Sequence, residues 1–112
     1  MLDTTTDLAQ LLNDKSLLVT KAYVNGEWID GDNGTFVVDN PARGDTVAEV
    51  ADLSRDQVGA SIDAAYAAQK EWAAKTAKER SNILRAWYNL MMENQEDLAK
   101  ILTAEQGKPM AE

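Results

Sequence analysis

Apolar residues recur every three or four positions through the second half of the chain, and every second position through part of the first. Between Ser54 and Ala74, Val58, Ile62, Ala65, Gln69 and Trp72 follow one another at spacings of four and three, the period of one helical face. Ile83, Leu84, Trp87, Leu90 and Met91 draw a second stripe, and Leu98, Ile101 and Leu102 a third. Punctuation agrees with the periods. Ser54 with Gln57, and Thr76 with Glu79, fit the capping box, in which a hydroxyl accepts from the third backbone N–H and a carboxylate or amide reaches back to the cap. Asn94 is expected to stop one helix and cap the next, with Glu96 and Asp97 in the new first turn favoured by the dipole. Gly107 offers a left-handed cap, and Pro109 marks a stop or a new start.

In the first half, residues 1–14 place Leu8, Leu11 and Leu12 at helical spacing behind Asp3 or a Thr as cap. This predicts a short amphipathic helix that docks on the rest of the chain or binds a partner. From Ala22 the period is two. Ala22-Tyr23-Val24 and Glu27-Trp28-Ile29 flank Asn25-Gly26, a hairpin signal because both turn positions need positive φ. Asp30-Gly31-Asp32-Asn33-Gly34 is a second turn; it lacks the alternation and terminal Glu of a calcium loop and reads as a solvated turn. Thr35 to Asp39 is a strand, Asn40 to Asp45 a turn built on Pro41 and Gly44, and Thr46 to Val50 a closing strand. The fold class is therefore α+β: a short helix over 1–14, a small antiparallel β meander over 20–50 and three amphipathic helices over 54–112. A sheet this small is marginal without a helix on one face.

At 112 residues the chain holds one domain at most. A net charge of −8, with 11 Lys and Arg scattered among 19 acidic residues, excludes nucleic acid as a partner. No apolar run reaches membrane-spanning length and no signal peptide is visible, so a soluble cytoplasmic protein is the expectation. There is no Cys and no His, hence no thiolate nucleophile, no imidazole base and no common zinc ligand. No catalytic or cofactor-binding residue is assigned. Trp72, Trp87 and the pair Met91-Met92 read as packing residues rather than a stacking platform. Glu93, Glu96 and Asp97 read as capping groups rather than paired carboxylates for acid–base work. Three apolar helix faces in succession, and an end at Glu112 just after Pro109 restarts a helical pattern, predict a cut end and a body outside these residues. Alone, such a chain is expected to be marginal or self-associating.

An ordered set of motifs carries a resemblance. Tyr23-Val24-Asn25-Gly26-Glu27-Trp28, Asn40-Pro41-Ala42 with Gly44, Trp72, Glu79-Arg80 with Ile83-Leu84-Arg85, and Glu105-Gln106-Gly107-Lys108-Pro109 resemble the amino-terminal signature of the aldehyde dehydrogenase superfamily. Thr76 to Ser81, Asn89 to Glu93 and Glu105 to Glu112 look most like the bacterial, NADP-preferring succinate-semialdehyde dehydrogenases; Ala104 departs from that pattern, where Leu is more usual. The resemblance covers residues 20–112. It implies an α/β parent in which this segment is the N-terminal portion (1–112) of the NAD(P)-binding domain. In that family a Cys thiolate attacks the aldehyde, hydride passes to NADP or NAD, and a Glu-activated water releases the acid; all those groups lie beyond Glu112. It further implies a homo-oligomer, dimer or tetramer, acting on a small aldehyde. Glu105, with the carbonyls of Val38 and Asp39, matches a family site for a monovalent cation, an oxygen donor set of suitable hardness; the alternative is that Glu105 only ends a helix. A rival of another class is a free-standing acidic helical module whose stripe binds a partner helix.

Overall fold

The computed structural model describes residues 4–112, with side chains from Leu8 onward; the proposed cap Asp3 lies outside the described residues. Helix α1 spans Thr4–Leu11, followed by a single 3-10 turn at Lys15–Leu17. Strands β1 (Ala22–Val24), β2 (Glu27–Ile29), β3 (Thr35–Asp39) and β4 (Thr46–Ala51) come next, then helices α2 (Arg55–Ala74), α3 (Ala77–Glu93) and α4 (Gln95–Gln106).

Strands β1 and β2 pair antiparallel across Asn25 (φ 50°) and Gly26 (φ 81°), two successive positive-φ residues that match the right-handed twist of the strands. Tyr23 lies opposite Trp28, and their rings stack 4.8 Å apart. Strands β3 and β4 pair from Thr35↔Ala51 to Asp39↔Thr46, with a bulge between Val38 and Asp39. The meander is thus two hairpins, each its own two-stranded sheet. The division has a local cause. Asp52, just past β4, crosses the 31–34 turn: it donates to the Gly34 carbonyl at 2.9 Å and accepts from the Asn33 N–H at 3.1 Å. A Cβ at Gly31 would stand 2.1 Å from the Asp52 carbonyl oxygen, so only glycine permits this crossing.

Both capping boxes form, at Ser54/Gln57 and at Thr76/Glu79. The first reaches further than its own helix. Gln57 Oε1 also accepts from the Asp32 N–H at 2.8 Å, Gln57 Nε2 donates to the Asp30 carbonyl at 3.0 Å, and Ser54 Oγ donates to Asp32 at 3.1 Å. The start of α2 is thereby fastened to the acidic turn. Asn94 alone joins α3 to α4, but its side chain works in the direction opposite to expectation. Its Nδ2 donates back to the Leu90 carbonyl at 2.9 Å and it makes no cap bond to α4; the orphan carbonyls ending α3 capture the amide first. Gly107 ends α4 at φ 86°, its N–H bonded to Thr103.

The buried apolar cluster is small: Leu8 and Leu12 from α1 and its end, and Val47 from β4, ringed by Leu18, Val38, Ala48, Ile101 and Ala104. Apart from Ile101, the helical stripes do not close on it. Val58, Ile62, Ile83, Leu84, Leu90, Met91 and Leu102 are all exposed, and Trp87 is 61% exposed. The radius of gyration is 16.9 Å, against about 13 Å for a compact domain of this length. The accessible surface is 8474 Å², about 2,400 Å² more than size scaling gives for a compact monomer of this mass. The expectation that the helices present faces needing a partner is met.

Candidate functional site

Polar groups converge where the end of α1, the Asn40 turn and α4 meet. Asp97, Ile101 and Ala104 fall on one helical face, so the face that packs on the apolar cluster also carries a carboxylate. Asp97 is 3% exposed. Its Oδ1 accepts from the Asn13 N–H at 2.9 Å and its Oδ2 from the Asp14 N–H at 2.8 Å. These two bonds, aided by the Lys100 charge, hold the Asp97 carboxyl below its ordinary pKa in spite of burial. Lys100 Nζ donates to the Leu11 carbonyl at 3.0 Å and pairs with Glu96 at 3.4 Å. Glu93 and Glu96 remain exposed. The three acidic residues are therefore no acid–base set, and Asp97 does more than favour a helix dipole.

The Asn40 turn is closed by its own side chain. Asn40, 8% exposed, accepts through Oδ1 from the N–H groups of Ala42 (2.9 Å) and Arg43 (3.2 Å). The Asn40 carbonyl takes the Gly44 N–H at 2.7 Å, with Gly44 at φ 79° as the turn required. Arg43 pairs with Asp45 at 3.1 Å. The turn abuts the end of α4, since a Cβ at Gly107 would meet Pro41 Cγ at 3.1 Å. An open recess of about 520 Å³ lies beside it, walled by Leu8 and Leu11, Ala42 and Arg43, and Lys100 and Thr103.

The residues expected at a cation site come from these same pieces. Val38 and Asp39 end β3 where the register shifts: Val38 pairs with Ala48 and Asp39 with Thr46, so Val47 of β4 falls out of the ladder. Glu105 lies exposed in the last turn of α4. Val38 and Ala104 pack against the same apolar cluster, so the fold brings the two stretches into one neighbourhood. Among the described residues no group of three His, Cys, Asp or Glu is placed to hold a metal ion; any cation here would depend on backbone carbonyls.

Residues 28–112 match the family model described as the aldehyde dehydrogenase family. The chain is 53% identical over 102 residues to the NADP(+) succinate-semialdehyde dehydrogenase of Escherichia coli K12, covering 90% of this chain and 21% of that protein. It is 50% identical to a glutarate-semialdehyde dehydrogenase of Pseudomonas putida, with the same coverage. The crystal structure of succinate-semialdehyde dehydrogenase from Burkholderia pseudomallei superposes with a TM-score of 0.86 at 47% identity, over 91% of this chain and 21% of that one. The chain thus spans about a fifth of the length of the relatives it matches.

Proposed function

The chain belongs to the aldehyde dehydrogenase family, and from that premise we propose that it is the amino-terminal layer of an NAD(P)-dependent dehydrogenase oxidising succinic semialdehyde to succinate, with NADP as coenzyme. The observation that carries the reading is the set of exposed apolar stripes on α2, α3 and α4, on a chain that aligns with only about a fifth of the length of its relatives. A catalytic body seated on those stripes satisfies them. The coenzyme supplies the hydride acceptor; the nucleophile comes from outside these residues, which contain neither Cys nor His. The contribution of this chain is architectural. The two hairpins and the Gln57 clamp fix where α2 starts, and α3 and α4 present the faces on which the remainder of the domain packs. Glutarate semialdehyde is the near competitor, one methylene longer, and a hydrophobic pocket separates such pairs by only about 1–3 kcal/mol.

The same reading includes a monovalent cation held by the carbonyls of Val38 and Asp39 and the carboxylate of Glu105. Support comes from the register shift at this end of β3, with Val47 of β4 out of the ladder, and from the packing of Val38 and Ala104 on one apolar cluster. We place the full enzyme in the cytoplasm as a homo-oligomer; no helix of the described residues is long and apolar enough to cross a membrane. The deciding experiment is to assay the full-length protein with succinic and glutaric semialdehydes, each with NADP and with NAD. The expected result is the highest kcat/KM for succinic semialdehyde with NADP. Folded protein that turns over neither aldehyde with either coenzyme removes the assignment.

A further inference from the structure

Two polar ties and two apolar side chains meet at one end of α1, and they constrain that helix in a particular way. Asp97 takes the N–H groups of Asn13 and Asp14, immediately past the helix, at 2.9 and 2.8 Å. One turn further along α4, Lys100 Nζ takes the Leu11 carbonyl at 3.0 Å. All three partners are backbone atoms within four residues, so the carboxylate and the ammonium grip the exit of α1 from both polarities. Leu8 and Leu12 lie on the same side and, among the described residues, make up two of the three buried apolar residues, Val47 being the third.

We propose that Asp97 and Lys100 form a two-point latch that makes α1 the lid of a cooperative unit comprising α1, β3–β4 and α4, separate from α2 and the body of α3. The physical reason is economy of core. With α1 lifted, the cluster keeps only Val47 of its buried members, and the flanking Val38, Ile101 and Ala104 lose their common neighbour. Unlatching therefore opens the two-strand sheet and α4 in the same event, because Leu8 and Leu12 supply most of the cluster on which both pack. The α2 helix has none of its residues buried and is fastened elsewhere, through Ser54 and Gln57 to the Asp30–Asp32 turn. It has no stake in the latch.

The test is amide hydrogen exchange on the full chain, wild type against Asp97→Asn. Asn keeps the shape and one acceptor but turns its NH₂ toward the second backbone N–H, donor against donor. The expected result is a joint rise in exchange of roughly tenfold or more over 8–14, 46–51 and 98–104, with 58–72 changed less than about twofold, since exchange reports the free energy of each cooperative unit. A rise confined to Asn13 and Asp14 overturns the proposal, as does a uniform rise along the chain. Lys100→Met, which keeps the apolar stem and removes one tie, must give the same pattern at smaller amplitude, and Lys100→Arg must restore it. These variants keep the idea open to refutation if Asp97→Asn does not fold.

Discussion

Trp87 offers the sharpest measure of whether the stripes are built for a body outside these residues. A fully buried Trp removes about 200 Å² from water. In this chain Trp87 is 61% exposed, which leaves about 120 Å² to be covered, or about 3 kcal/mol at 25 cal/mol per Å². Trp87→Ala in the 112 residues alone loses only the remaining ~80 Å², about 2 kcal/mol, and regains about 0.5 kcal/mol of helix propensity. The net loss is therefore about 1.5 kcal/mol. In the full-length protein the same change should cost about 4.5 kcal/mol, within the range for large-to-small core substitutions. Urea unfolding followed by helical circular dichroism reads the first quantity, and thermal unfolding of the complete enzyme the second. Losses that agree to within about 1 kcal/mol would show that Trp87 faces water in both settings and would refute the reasoning.

Gly31→Ala forces a Cβ to 2.1 Å from the Asp52 carbonyl; separating the two segments should cost about 3 kcal/mol, visible as a lower urea midpoint, and an unchanged midpoint contradicts the crossing. Because the folded-state carboxyl of Asp97 lies below its ordinary value of 3.8, its stabilising effect is complete above that value and disappears as pH falls through the lower one. An acid titration by near-ultraviolet circular dichroism should show this step below pH 3.8 in wild type and lack it in Asp97→Asn. The proposed cation site predicts that potassium or sodium chloride raises the melting temperature of the full-length protein over choline chloride and that Glu105→Gln abolishes the rise; no rise in wild type, or one of equal size in the variant, overturns it.

What could be read from the letters was whatever depended on near neighbours. Ser54 with Gln57, Thr76 with Glu79 and Asn25 with Gly26 act over one to three residues, so their chemistry survives without tertiary knowledge, and each forms as expected. Strand β3 is found at the expected residues for the same reason. Asn94 was half legible: a short amide at a helix junction can serve either side, and the competition among orphan carbonyls at the end of α3 decides it. The split of the meander depends on Gly31 meeting Asp52, a close approach between residues far apart in sequence that no period announces. Asp97 binds residues 83 and 84 positions away. Its one signal was a carboxylate in phase with Ile101 and Ala104, on a face that otherwise reads as apolar. For the proposed cation site the motif indicated Val38, Asp39 and Glu105, while the register shift opposite them, with Val47 out of the ladder, became visible only in the structure.

The joint at Asn94 has a bearing on how this segment can vary in length. One residue separates α3 from α4, and each residue of an α-helix advances its phase by about 100°. An insertion or deletion there would swing α4 by more than a quarter of a circle, carrying Asp97 away from α1 and Gly107 away from Pro41 together. The junction is in effect a timing mark: a residue gained or lost there resets the angle of everything that follows.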